Sequence, residues 1–464
     1  MEKTPNLLFF FSDEHRKHDL GCYGNTIVKT PNLDRLAEEG LCFSHFVSNS
    51  PVCVPARGSL LTGLFPQKHG AFTNDLAIHS DCISIANVLN DAGYHTGYIG
   101  KWHLAGIPRD QFITEERRLG FKEWKVANCN HDYLHCYYDD EENVRHVIPG
   151  YEPEIFGELA LEFVERNQEK PWALYVSFAS PHGPHTVIKQ EYWDQYEDVD
   201  IPLLENVKEP IRAGRKTMTI EEQKREAKGY YGHITAIDDQ VGLLMKKLEE
   251  TGQLEHTIVI YTSDHGTMLG SHGYVDKQRP YEESIGVPLI AYWKNHIRTG
   301  HCEEMIGLVD LPVTLLGLLG KQFPDEVDGA DLHTVFTDEN AKGNEGCYIF
   351  DLYPCHQAYL KGFSEWRGVR TKRYTYAVTA SDQNWLLFDN EKDPYQKNNV
   401  VNDPDYAEVK KQLWNLLNSY ITKHDALISG DEYVIQSGQL EEFNESQVYF
   451  GFPPIDPEQI KSER

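Results

Sequence analysis

The chain has 464 residues, 40% of them hydrophobic, with 72 acidic against 44 basic residues for a formal charge of −28. That balance excludes nucleic acid as a general partner, because gripping a phosphate backbone needs a basic surface. The length allows one large domain with an appendage, or two domains. Nine cysteines, odd in number, widely spread and without a C-x-x-C pair, exclude a disulfide framework, a zinc ribbon and a thioredoxin-type site. No apolar stretch is long enough to cross a membrane.

In chain order, residues 6–12 form an apolar run suited to a strand buried on both faces, and the run stops at Asp13-Glu14. The residues before it lack the apolar core and small-residue cleavage site of a signal peptide. A cytoplasmic protein is expected, although a periplasmic or secreted protein trimmed of its leader would read the same way. Next comes Cys53-Val-Pro-Ala-Arg57, continuing to Thr62-Gly63. Pro55 suits a first helical turn, and Leu60, Leu61 and Leu64 then fall on one apolar stripe. Cys53 is thereby predicted at a helix N-terminus, where unpaired N–H groups and the helix dipole favour anions and lower a thiol's pKa. Arg57 adds a planar fork for a tetrahedral oxyanion.

Residues 95–100, 172–178 and 257–262 read as three further strands. Each delivers ionisable groups at its carboxyl end: Lys101-Trp102-His103, His182-Gly-Pro-His185, and Asp264-His265-Gly266. Open α/β sheets bind ligands in that crevice, so a single shared site is expected. Ile234, Ile237, Val241, Leu244 and Leu248 recur at helical spacing, with Gly252 as a stop, and mark a packing helix. Asp238-Asp239 within it reads as solvated or capping charge rather than a metal pair. Beyond about residue 340, residues 368–376 and 384–388 read as paired short strands and 407–424 as a terminal helix. The expected division is therefore 1–340 and 341–464. The tyrosines and phenylalanines of the acidic tail after Ser429 are expected to pack on the body.

The pattern Cys53-x-Pro55-x-Arg57 with its Thr62-Gly63 ending, together with Gly100-Lys101-Trp102-His103 and Thr262-Ser263-Asp264-His265-Gly266, resembles the type I sulfatases of the alkaline phosphatase superfamily, and among them bacterial sugar sulfatases. The resemblance implies an alkaline-phosphatase-like α/β fold, with a large, mixed, mostly parallel sheet sandwiched by helices and a smaller C-terminal α+β subdomain. It implies that a maturation enzyme converts Cys53 to formylglycine, whose aldehyde hydrate is the nucleophile. A Ca²⁺ ion, with Mg²⁺ as the alternative, would be held by Asp13, Glu14, the modified Cys53, Asp264 and His265; Glu14 stands where the family more often has Asp, Gln or Asn. Arg57, Lys101 and His103 carry over from the motifs. His185, the second histidine of H-x-P-H, and Lys277, which precedes the Glu283 to Pro288 run, are the expected leaving-group residues. The implied reaction is hydrolysis of a sulfate ester, on a sulfated sugar or another small molecule. Alternatives are a phosphonate monoester or phosphodiester hydrolase of the same superfamily and a non-catalytic carbohydrate-binding relative. Candidate substrate contacts are Trp102, His131, His135, His182, His356 and Arg370, each equally readable as structural.

Overall fold

Strand β1 (Asn6–Ser12) is buried along its whole length, with Leu7, Phe9 and Phe11 entering one core and Leu8 and Phe10 the other. A strand of this kind needs cover on both faces, and helices supply it. The computed structural model describes residues 4–213, 216–355 and 364–458. In chain order the next strands are β2 (Leu41–Val47), β3 (His95–Lys101), β4 (Glu123–Ala127), β5 (His135–Asp140), β6 (Arg145–Pro149) and β7 (Trp172–Ser177). After them come β8 (Ile211–Ala213) and β9 (Lys216–Met218), which form a short ribbon, then β10 (Thr257–Ser263), β11 (Leu289–Tyr292) and β12 (Gly300–Gly307). Apart from the ribbon these make one 10-stranded sheet in the order β12-β2-β11-β10-β1-β7-β3-β4-β5-β6. The five central strands β10, β1, β7, β3 and β4 run parallel, while β11 and the β5–β6 meander are antiparallel.

Register places the chemistry. Ser12 pairs with Ser263, so Asp13 and Asp264 emerge side by side, while Phe11 and Gly100 both pair with Ser177, so Lys101 emerges two strands away. Gly100 has φ +109°, and a Cβ there would lie 1.9 Å from the Ser177 carbonyl oxygen, so only glycine lets β3 turn into the site at this point. The four expected strands of this sheet are all present, with β3 and β10 each ending one residue later and β7 one residue earlier than the sequence suggested.

On one face lie α1 (Pro31–Glu39), α3 (Glu152–Arg166) and α4 (Ile220–Glu250), and on the other α2 (Cys53–Thr62). Helix α2 does begin at Cys53, but it is buried at all ten positions and ends at left-handed Gly63, so Leu64 lies beyond it, half-exposed. The expected one-sided stripe is therefore absent: a helix wedged between the sheet and a second helical layer is buried all round, its polar Arg57, Ser59 and Thr62 included.

The C-terminal part is a four-stranded antiparallel sheet, β13 (Gly346–Asp351), β14 (Trp366–Thr371), β15 (Tyr374–Val378) and β16 (Leu386–Asp389), covered by α5 (Ala407–His424). The run 368–376 is thus two strands rather than one, folded back where Tyr374 donates its N–H to Thr371 Oγ1 at 3.0 Å. Two tail helices, α6 (Gly430–Ser437) and α7 (Leu440–Tyr449), bury Phe443 against Phe72 and Tyr353.

Asp238 is buried in α4 and caps α1, accepting the N–H groups of Asn32 (3.2 Å) and Leu33 (2.7 Å) and the Asn32 side chain (2.8 Å). Asp239, beside it, is exposed. Asp238→Ala should lower the unfolding free energy by about 2–3 kcal/mol, because buried donors lose their acceptor. Asp239→Ala should cost about 1 kcal/mol or less. Urea titration of the two variants checks the contrast.

Candidate active site

Asp13 and Cys53 are buried at the carboxyl edge of the sheet, with Asp264 and His265 beside them. Cys53 Sγ is 3.2 Å from His265 Nε2 and 3.6 Å from Asp13 Oδ1. The same Nε2 lies 3.6 Å from Asp13 Oδ1 and 3.7 Å from Asp264 Oδ1. His265 Nδ1 points at the Gly266 carbonyl at 2.8 Å and donates to it, which leaves Nε2 as the nitrogen facing the three anionic groups. These four ligand atoms all lie within 4.8 Å of one another, and two carboxylates, an imidazole and a sulfur suit a dication. Arg57 spans the pair of carboxylates, from Nε to Asp264 at 2.9 Å and from Nη2 to Asp13 at 3.2 Å, while Nη1 serves the Lys101 carbonyl and Ser177 Oγ. Its guanidinium lies over Phe11. The expected open fork for an oxyanion is therefore turned inward: Arg57 aligns the carboxylates.

Two buried lysines flank this quartet. Lys101 donates to Asp13 and, at 3.1 Å, to His131 Nε2; Lys277 donates to Glu14 and, at 3.0 Å, to His182 Nε2. Burial works against both ammonium charges, but Asp13 outweighs it for Lys101, held up at about 12, and Cys53 with Glu14 does so for Lys277. For Cys53, burial and Asp13 push the thiol up, yet Lys277, Lys101 and His265 bring it down to about 6. Asp13 keeps its charge despite burial because Lys101, His182 and Arg57 surround it. Glu14 sits at φ +68° with its carboxylate on Lys277 rather than in the quartet.

His103, at φ +59°, is buried with neither ring nitrogen hydrogen-bonded, and its Nε2 is 3.6 Å from Asp75. Asp75 in turn is gripped by Arg109 at 2.7 and 2.8 Å. Burial disfavours the imidazolium, but the negative charge of the Cys129 thiolate, itself favoured by His103 and Lys101, and Asp75 hold His103 up at about 10. Asp75, Arg109 and Cys129 had no motif to announce them. They arrive from loops distant in sequence.

Several expected residues do not join this cluster. His185 pairs with Glu226 at 3.0 Å and packs on Tyr230, so of the two histidines in H-x-P-H it is His182 that meets the lysine and the carboxylates. A turn dictates this choice, since His182 Nδ1 is tied to the Gly183 carbonyl at 2.6 Å. Trp102 is wholly buried in an aromatic cluster, with Tyr98 at 5.0 Å and Trp124 at 4.9 Å, and offers no face to a ligand. His135 is exposed and pairs with Asp132. His356 lies outside the described residues.

Known proteins resemble this chain along most of its length. A family model described as sulfatase matches residues 5–321, and one described as N-sulphoglucosamine sulphohydrolase, C-terminal, matches residues 270–423. An ulvan-active sulfatase of Formosa agariphila is 35% identical over 447 residues, covering 95% of this chain and 84% of its own. The structure of a putative sulfatase, yidJ, from Bacteroides fragilis superposes with a TM-score of 0.82 at 29% identity, covering 92% of this chain and 98% of its own. That of BT4656, solved with its substrate D-glucosamine-2-N,6-O-disulfate, gives 0.80 at 25% identity over 91% and 98%.

Arg370 stands apart from the quartet, in a cleft with Lys17, His18 and His45, and is paired to buried Glu282. Burial raises Glu282, but Arg370 and Lys17 overcome it and bring it from 4.5 to about 2. A carboxylate depressed in the folded state stabilises fully above its ordinary value of 4.5 and loses that contribution as pH falls toward 2. Glu282→Gln should therefore be destabilised at neutral pH by on the order of 3 kcal/mol. The gap to the parent should close on acidification below pH 4.5, as followed by denaturant unfolding at stepped pH.

Proposed function

This chain belongs to the sulfatase family of sulfuric ester hydrolases, and from that membership we propose that it cleaves a sulfate ester on a carbohydrate at residue 53. The observation that carries the reading is the buried quartet of Asp13, Cys53, Asp264 and His265 set between Arg57 and two lysines. Sulfated carbohydrate as the substrate class is supported by the ulvan-active relative and by the disulfated glucosamine bound to BT4656. Asp13, Asp264 and His265 would hold the dication, and carboxylate oxygens favour Ca²⁺ over softer ions, with Mg²⁺ the alternative. Residues 1–340 would form the catalytic domain. The subdomain after it would steady Lys277: Gln278, its neighbour, is held by Asp351 at 3.0 Å and by the Trp366 indole at 3.0 Å.

The Cys53 thiol is the precursor of the nucleophile. As formylglycine, residue 53 supplies an aldehyde hydrate, and the dication beside it supplies positive charge. The rest is done by this chain's own side chains. Lys101 and Lys277 each have one N–H left after their carboxylate and imidazole partners, and both can point at oxygens of the sulfate. Lys277, with His182 behind it, is placed to protonate the departing sugar oxygen. His103, with unpartnered nitrogens and Asp75 at its back, keeps its proton near neutral pH and is placed to donate a hydrogen bond to an oxygen of the nucleophile or of the sulfate. Arg57 keeps both carboxylates aligned.

Co-expressed with a formylglycine-forming enzyme, the parent should hydrolyse sulfated sugars in preference to phosphonate monoesters, and chelation should silence it until Ca²⁺ is returned. Cys53→Ala should lose about 10⁴-fold or more in turnover with its unfolding curve unchanged. Full activity in that variant, or preference for the phosphonate, would sink the proposal.

A further inference from the structure

His131 lies in a loop that links two strands and belongs to none of the motifs above, yet its ring is stacked on His182, with centroids 4.1 Å apart and planes 4° from parallel. Each imidazole takes one N–H from a buried lysine through Nε2: His131 from Lys101 at 3.1 Å, His182 from Lys277 at 3.0 Å. Each lysine gives a second N–H to a carboxylate, Asp13 or Glu14. An ammonium has three N–H bonds, and two fixed acceptors determine where the third points. The two halves of the site are therefore alike: carboxylate, lysine and imidazole on each side, with the imidazoles in contact at the partly exposed mouth.

We infer that His131 is a positioning residue, whose Nε2 acceptor and stack on His182 aim the remaining N–H of Lys101 at a sulfate oxygen. The assignment rests on the sulfate-ester reading above. An acceptor nitrogen must be unprotonated, and burial together with His182 and Lys101 brings His131 down to about 3, so the ring stays neutral in ordinary buffers. Cys129 Sγ lies 3.9 Å from the same nitrogen and, held as a thiolate by His103 and Lys101, has no proton to give it, so the ammonium at 3.1 Å is its donor. Without His131, Lys101 keeps Asp13 but gains freedom to swing, and its contact with the sulfate loosens.

The test compares two replacements in the matured enzyme. His131→Phe keeps a ring for the stack and removes the acceptor; His131→Gln removes the ring and offers an amide oxygen. Inorganic sulfate affinity, by calorimetric titration, and kcat/KM on a sulfated sugar are measured for both, with thermal unfolding as the folding control and His131→Leu as substitute if the Phe variant does not fold. The Phe variant should lose about 10- to 100-fold in kcat/KM and bind sulfate about tenfold more weakly, the range for one oriented hydrogen bond to charge. The Gln variant should recover much of both. Parent-like behaviour of the Phe variant, a Gln variant no better than Phe, or a parent that does not bind sulfate would overturn the assignment. A parent that binds sulfate but cleaves no sulfate ester would fail the functional reading alone, and the sulfate titration would still decide the role of His131.

Discussion

A single buried carboxylate organises this molecule's chemistry. Asp13 stands at the end of the central strand, out of contact with water, and touches or faces Arg57, Lys101, His265 and Cys53 at once. A charge so placed is tolerable only when it is paired and hydrogen-bonded on every side. The same requirement spreads outward. Three carboxylates, Asp13, Glu14 and Asp264, are matched by three permanent cations, Arg57, Lys101 and Lys277, so the site is balanced before any ligand arrives. Into such a balance a dication and an anionic sulfate ester can enter together at modest electrostatic cost.

The architecture serves that balance. Parallel strands end at one edge of the sheet, and their register sets Asp13, Asp264 and Lys101 within reach of each other before any side-chain packing is considered. Helix α2 brings the residue that reacts, and its first turn is capped from outside by Asn74, which accepts the Val54 N–H at 3.1 Å. The C-terminal sheet contributes no member of the quartet, but through Trp366 and Asp351 it grips the segment that carries Lys277. A deeply buried set of charges needs a stiff frame, since a loosened partner would leave its mate unpaired.

How much of this was legible in the sequence depended on range. The four parallel strands β1, β3, β7 and β10 could be read because their signal is local: apolar runs ending in ionisable residues. The helix start at Cys53, the α4 packing stripe and the α5 boundaries were legible for the same reason. Four residues expected together from their motifs do meet in the fold: Asp13, Lys101 and Asp264 at strand ends and Cys53 at the start of helix α2. It was misread where the choice lies in three dimensions. His182 and His185 look equivalent in Pro181-His-Gly-Pro-His185, and only the turn and the Glu226 partner separate them. Trp102, between two site residues, goes to the core because its neighbours Lys101 and His103 turn to the site. Arg57 looked like an anion fork until its acceptors were known. Asp75, Arg109 and the link between His131 and Lys101 join segments far apart along the chain, and no spacing rule connects them.

The central claim is that residue 53 is built to become an aldehyde nucleophile inside this charged frame. The most direct measurement is a peptide mass spectrum across Cys53 after co-expression with a formylglycine-forming enzyme. The account predicts replacement of the thiol by the aldehyde at that position and at none of the other eight cysteines. A peptide that remains entirely thiol, while the same maturation enzyme converts a control substrate, would contradict it.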